Sequence, residues 1–211
     1  MHKAHVLCVF VKAPVPGQVK TRLAMELGAN QATELYRRLG RQVVQGVVGE
    51  EYETVVWYAP PSDAPLVRAW LDGLGVTRFL LQSGADLGDR LCTAFAKHFR
   101  EGARRVVIIG SDCPGIDAGL VAQALAALGR HDLVLGPAWD GGYYLIGMKR
   151  PHEFLFEGIA WSTSSVAEET ATRARAAGLS CHLLLTLRDV DTGADARAAG
   201  LPASCWRPLG R

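Results

Sequence analysis

The chain has 211 residues, 49% hydrophobic and 21% charged, enough for one substantial core and within the range of a single α/β domain spanning 1–211. Its formal charge of +2 and the absence of any Lys or Arg run longer than a pair give no support for bulk attraction to nucleic acid or a membrane surface. Cys8, Cys92, Cys113, Cys181 and Cys205 follow no metal-ligand spacing and read as reduced thiols, and the early apolar run Val6 to Val11 is too short for a signal peptide or span, so a cytoplasmic protein is expected.

Strands are expected at His5–Val11, Thr54–Tyr58, Thr77–Leu81, Arg105–Ile109, Asp132–Leu135, Tyr143–Gly147 and Cys181–Leu185. Helices are expected at Thr21–Val48, with Gly28 or Gly40 as a break, and at Ala64–Leu71, Leu87–Arg100, Asp117–Leu128 and Ser165–Ala177. Ser165 with Glu168 three residues on has the capping-box pattern. This alternation predicts a mostly parallel sheet with helices on both faces. Between Asp132–Leu135 and Tyr143–Gly147 there is no room for a helix, which predicts a strand of different direction.

The first strand runs into Lys12-Ala13-Pro14-Val15-Pro16-Gly17-Gln18-Val19-Lys20-Thr21-Arg22-Leu23, a proline-stiffened loop opened by a glycine and followed by a helix that starts among cations. Backbone N–H groups, Lys and Arg at such a place hold phosphate oxygens, Arg by paired hydrogen bonds and Lys as a point charge. The glycines of a Walker loop or a dinucleotide fingerprint are missing. A solvated helix start with incidental cations is the plainer alternative.

After the third strand, Gln82-Ser83-Gly84-Ala85-Asp86-Leu87-Gly88-Asp89-Arg90-Leu91 forms a glycine- and carboxylate-rich crossing able to wrap a base or sugar. Asp86 serves equally well as an N-cap, and Asp89 with Arg90 as a surface pair. The stretch Val106-Val107-Ile108-Ile109-Gly110-Ser111-Asp112-Cys113-Pro114 drives a buried strand into a carboxylate and then a proline, leaving Asp112 at the carboxyl edge of the sheet, where open α/β sheets bind ligands. The alternative is a solvated turn residue.

In Pro137–Gly142 the paired glycines Gly141 and Gly142 permit close backbone approach to a ligand and leave Asp140 as an acceptor for hydroxyls or a base. Tyr143 and Tyr144 alternate faces, so one of them is core. Ala160-Trp161-Ser162-Thr163 reads as a substrate loop or a helix cap. In Arg188-Asp189-Val190-Asp191-Thr192 two carboxylates lie on one side of an extended segment, able to complete a divalent-ion site begun by Asp112 unless Asp191 caps a helix near Gly193.

The ordered set of the loop after strand one, Gly110-Ser111-Asp112-Cys113-Pro114, Trp139-Asp140-Gly141-Gly142-Tyr143-Tyr144 and Asp189-Val190-Asp191-Thr192 resembles a bacterial family of GT-A-type transferases labelled radical-SAM/selenodomain-associated transferase 1 or glycosyltransferase-like. The resemblance runs from about Val6 to about Ala196. It implies the nucleotide-diphospho-sugar transferase fold, a Rossmann-like three-layer α/β/α domain with a mixed sheet. It implies nucleotide-phosphate binding by Lys12, Lys20 and Arg22, Mg²⁺ or Mn²⁺ held by Asp112, and acceptor or sugar contacts by Asp140. The superfamily's Asp-x-Asp is here Ser111-Asp112-Cys113, so a second metal ligand must come from elsewhere, with Asp191 the candidate.

The residues expected at the site are thus the catalytic carboxylates Asp112 and Asp140, the metal ligands Asp112 and Asp191, and the nucleotide-binding set Lys12, Pro16, Gly17, Lys20, Arg22, Gly84, Asp86, Ser111, Gly141 and Gly142. The expected partners are a nucleotide or nucleotide-sugar donor and a small acceptor, with no nucleic acid. Three activities compete: glycosyl transfer from a nucleoside-diphosphate sugar, nucleotidyl transfer resembling molybdopterin or phospholactate guanylylation, and a nucleotide-binding regulatory module without turnover.

Overall fold

The computed structural model describes residues 3–201, so Cys205 lies outside the described residues. One sheet in the order β3-β2-β1-β4-β6-β5-β7 is built from β1 (His5–Lys12), β2 (Glu53–Ala59), β3 (Arg78–Leu81), β4 (Arg105–Ile109), β5 (Leu133–Pro137), β6 (Tyr143–Met148) and β7 (Cys181–Leu183). All pairings are parallel except those of β6, which runs antiparallel to both β4 and β5. The short connection after β5 therefore forces the expected reversal, because only a hairpin fits there.

The helices are α1 (Thr21–Leu27), α2 (Ala29–Val47), α3 (Ala64–Trp70), α4 (Leu87–Arg100), α5 (Ala118–Ala127), α6 (Val166–Ala176) and α7 (Gly193–Ala198). Alternation along β1 divides the core. Leu7, Val9 and Val11 face a cluster with the apolar sides of α1, α2, α3 and α5, whereas Val6 and Cys8 face a second cluster with α4 and α6. Two helix-covered faces make the Rossmann-like three-layer arrangement.

The break in the first helical stretch falls at Gly28, whose φ of 84° ends α1. Gly40 stays inside α2, where the Trp70 ring packs so close that a Cβ would lie 2.6 Å from it. The expected Ser165 cap does not form. Ser165 has helical rather than extended backbone, its side chain makes no cap bond, and its hydroxyl pairs with that of Thr163 at 3.0 Å. A reciprocal capping box forms instead at α7, between Thr192 and Asp195. Thr192, not Asp191, is the α7 cap, which frees the Asp191 carboxylate for other partners.

Candidate functional site

The carboxyl ends of β1 and β4 flank a cleft of about 410 Å³ whose lining includes Lys12, Lys20, Arg22, Ser111, Asp112 and Asp191. Six of the expected residues thus converge from the end of β1 and the start of α1, the turn after β4 and the segment before α7. Gly110 fits the turn after β4, since a Cβ there would stand 3.0 Å from Asp112 Oδ1. The Val190 N–H donates to the Asp112 carbonyl at 3.0 Å, which pins the segment carrying Asp189 and Asp191 against that turn.

Lys20 is the hub. Its ammonium donates to Asp112 Oδ2 at 2.9 Å and to Asp191 Oδ1 at 2.7 Å, and only 6% of its side chain is exposed. Burial by itself would lower its pKa, but the charges and hydrogen bonds of the two carboxylates outweigh that and raise it above the ordinary lysine value. The Lys20 backbone is left-handed, φ 48° and ψ 49°, a conformation that costs a non-glycine residue about 1–2 kcal/mol and persists when surrounding contacts enforce it. Arg22, 70% exposed, stands 3.8 Å from Asp191 Oδ2.

Tyr36 gave no signal in the sequence, where it is one apolar-face residue of α2. Its buried hydroxyl accepts from the Lys12 N–H at 3.0 Å, donates to the Lys12 carbonyl at 3.1 Å and lies 3.2 Å from Ser111 Oγ. One side chain thereby ties the end of β1 to the turn after β4, and burial raises its pKa. Gln82 also lines the cleft, its amide donating to the carbonyls of Val11 and Trp57 at 3.1 and 2.9 Å.

The other expected residues do not line this cleft. Pro16 and Gly17 shape the approach to Lys20, Gly17 with φ 80°. Asp86 is the α4 N-cap, accepting from the Asp89 N–H at 2.9 Å, while Asp89 accepts from the Ala85 N–H at 3.0 Å. Gly84 permits that fold-back, since a Cβ there would overlap Asp89. In the β5–β6 hairpin Asp140 accepts from the Gly142 N–H at 2.9 Å, and Gly141, with φ 89°, lies so close to Ser164 that a Cβ would overlap its backbone. Tyr144 is core, its hydroxyl donating to the Leu185 carbonyl, and Tyr143 packs toward the α4–α6 face, edge-on to Trp161.

Asp189 connects the hairpin to the cleft. Burial, then the charges of Asp112 and Asp140, push its carboxyl up to about 6. Beside it Trp139 is 66% exposed, with the Arg188 guanidinium 4.4 Å from its ring centroid.

Asp112 and Asp191 supply hard oxygen donors converging on one point, which suits a small divalent cation that takes one or two carboxylates and completes its shell with phosphate and water. Among the described residues, no group of three or more His, Cys, Asp or Glu side chains is placed to hold a metal alone. Cys8, Cys92, Cys113 and Cys181 are free thiols, and no described helix is long and apolar enough to cross a membrane.

This sheet order, with its one reversed central strand, is the nucleotide-diphospho-sugar transferase fold. The chain belongs to the bacterial family described as "Uncharacterized protein conserved in bacteria (DUF2064)", whose model matches residues 25–163. It is 38% identical to a Desulfovibrio desulfuricans G20 protein described as a "putative nucleotide-diphospho-sugar transferase", over 90% of this chain and 83% of that one, with a TM-score of 0.84. More distant likenesses share the fold alone. One is 4-diphosphocytidyl-2C-methyl-D-erythritol synthase from Anaerococcus prevotii DSM 20548, 10% identical over 93% of this chain and 96% of that one at a TM-score of 0.59. Another is CMP:2-keto-3-deoxy-manno-octonic acid synthetase complexed with CTP, 13% identical over 93% and 96% at a TM-score of 0.55. No curated protein matches the chain.

Proposed function

We propose that the chain is a transferase that takes a nucleotide-activated donor in the cleft between β1 and β4, and that it moves a sugar from a nucleoside-diphosphate sugar to a small acceptor. The observation that carries this reading is the convergence of Lys20 and Arg22 with Asp112 and Asp191 at the carboxyl edge of the sheet. The likeness to the Desulfovibrio protein supports the class of donor.

Lys20 and Arg22 bind the diphosphate by charge-assisted hydrogen bonds, and Lys12 and Arg90, which also line the cleft, add positive charge. Asp112 and Asp191 would hold Mg²⁺ or Mn²⁺. When bound, such an ion neutralises charge that builds on the departing diphosphate. Tyr36 fixes Ser111 and the Lys12 backbone against each other, so these groups meet the donor already oriented. Asp189 is close enough to Asp112 and Asp140 to feel both charges, and we assign Asp189 and Asp140 to the acceptor: carboxylates accept from hydroxyls, and Asp189, pushed up to about 6, is suited to take a proton.

Incubation with nucleoside-diphosphate sugars and triphosphates, Mn²⁺ and a panel of small hydroxylated acceptors tests this directly. Release of nucleoside diphosphate over many turnovers is the expected result. Pyrophosphate release would mark nucleotidyl transfer, and binding without turnover would mark a regulatory module.

A further inference from the structure

Lys20 fills the seat between Asp112 and Asp191 that the preceding reading gives to a divalent ion. We propose that the Lys20 ammonium is a built-in cation that vacates this seat only when phosphate is present to receive it, so that a divalent ion and the diphosphate enter together and neither binds tightly alone. The inference rests on the assignment of the cleft to a nucleotide diphosphate.

Several observations carry it. The ammonium is bonded to one oxygen of each carboxylate, at 2.9 and 2.7 Å, so the paired oxygens that would chelate an ion are already engaged. Lys20 by itself offsets half of their charge, and Arg22 stands 3.8 Å from the other oxygen of Asp191. Among the described residues, no third His, Cys, Asp or Glu makes this a metal-holding group, so an ion arriving alone gains two carboxylates at most, and to take the two engaged oxygens it must evict a lysine. With 6% of its side chain exposed, that lysine has little access to water. An unpaired ammonium in such a place is costly, and the cleft wall beside it offers the cations of Lys12, Arg22 and Arg90 rather than a replacement anion. A diphosphate is that anion. Finally, Lys20 sits on a left-handed backbone at the end of the loop carrying Pro14, Pro16 and Gly17, so leaving the carboxylates also allows relief of a disfavoured conformation. By linkage, whatever factor the diphosphate adds to metal affinity, the metal adds to diphosphate affinity.

Mn²⁺ binding, followed by the paramagnetic resonance of the free ion, tests the proposal on the full chain, unsubstituted and as Lys20→Met and Lys20→Arg, each checked for folding by circular dichroism. Lys20→Met is expected to bind Mn²⁺ alone about tenfold or more tightly than the unsubstituted protein, while Lys20→Arg, which keeps the charge, stays weak. Inorganic pyrophosphate should strengthen Mn²⁺ binding to the unsubstituted protein beyond what its own chelation provides, and lose that effect in Lys20→Met. Equal Mn²⁺ affinity of the unsubstituted protein and Lys20→Met, or an equal pyrophosphate effect in both, would overturn the proposal.

A second measurement needs no variant: manganese anomalous scattering from crystals of the unsubstituted protein holding Mn²⁺ and pyrophosphate should place the metal on Asp112 and Asp191 and Lys20 Nζ on phosphate. Lys20 still bonded to both carboxylates, with Mn²⁺ elsewhere, would refute it. Absence of Mn²⁺ binding with retained pyrophosphate binding would overturn this inference and leave the nucleotide reading standing. Absence of binding by pyrophosphate and every nucleotide would remove that reading as well.

Discussion

Lys20 and Asp191 are 171 positions apart and meet at 2.7 Å in the cleft, one ion pair joining the first crossover to the loop before α7. Asp112 shares the same ammonium at 2.9 Å, so the three residues act as a unit and substitutions in them should be non-additive.

Asp112→Asn should fold, since Asp191 still holds Lys20 and the amide keeps the shape of the carboxylate. Its side chain is 37% exposed, so water screens the pair and the stability loss should be modest, about 1 kcal/mol. Dependence of nucleotide binding on Mn²⁺ should nevertheless vanish, and Asp191→Asn should weaken it less. Thermal-shift titrations with and without Mn²⁺ read both effects. Undiminished Mn²⁺ dependence in Asp112→Asn would make Asp112 a turn residue only.

Tyr36→Phe deletes the hydroxyl that satisfies the Lys12 backbone N–H and reaches Ser111, leaving buried polar groups unpaired. Chemical denaturation should show a loss of about 1–3 kcal/mol, together with weaker nucleotide binding. Unchanged stability and binding would show that the hydroxyl does not organise the cleft.

His98 sets a pH dependence remote from the cleft. It is fully buried and accepts from the Trp57 indole N–H at its Nε2, 3.1 Å away, which requires the neutral ring, and burial lowers its pKa from 6.5 to about 4. Between those values the unfolded chain binds the proton and the folded protein does not, so stability should be full above about pH 6.5 and fall as the pH drops toward 4. Glu101, held near 2 by Arg78 and Lys97 against its own burial, extends the loss to lower pH. Denaturant midpoints of the unsubstituted protein and His98→Gln across this window should differ most near neutrality and converge toward pH 4. Parallel profiles would exclude His98 as the source.

Gly141→Ala should destabilise the β5–β6 hairpin, because φ 89° disfavours a side chain and the added methyl would overlap the Ser164 backbone. A drop in melting temperature is expected. Gly102→Ala, also at positive φ but with nothing within 4 Å, is the comparison and should cost less.

Most of the architecture was legible because periodicity encodes it. The β-branched run before Asp112, the helix-length segments and the missing helix before Tyr143 yield the strands, the two covered faces and the reversed β6. The positions of Asp112 at a strand end and of Lys20 and Arg22 at the start of the first helix were legible. Their grouping with Asp191 was only half legible: the segment was recognisable, but the Val190 N–H to Asp112 carbonyl bond that delivers it is a tertiary contact with no local signature. Tyr36 was invisible because one aromatic on an apolar helix face reads as packing. Ser165 and Glu168 misled because capping depends on backbone conformation as well as residue type, and Ser165 is already helical.

Affinities for a nucleoside, its monophosphate and its diphosphate, measured by calorimetry in Mn²⁺ at fixed salt on the unsubstituted protein and on Lys20→Ala/Arg22→Ala, decide whether these two cations clamp phosphate. The double substitution should cost on the order of a few kcal/mol for the diphosphate, less for the monophosphate, and almost nothing for the nucleoside, because the lost contacts are charge-assisted bonds to phosphate. Equal losses for all three ligands would mean a distorted loop rather than a lost phosphate clamp, and would contradict that assignment.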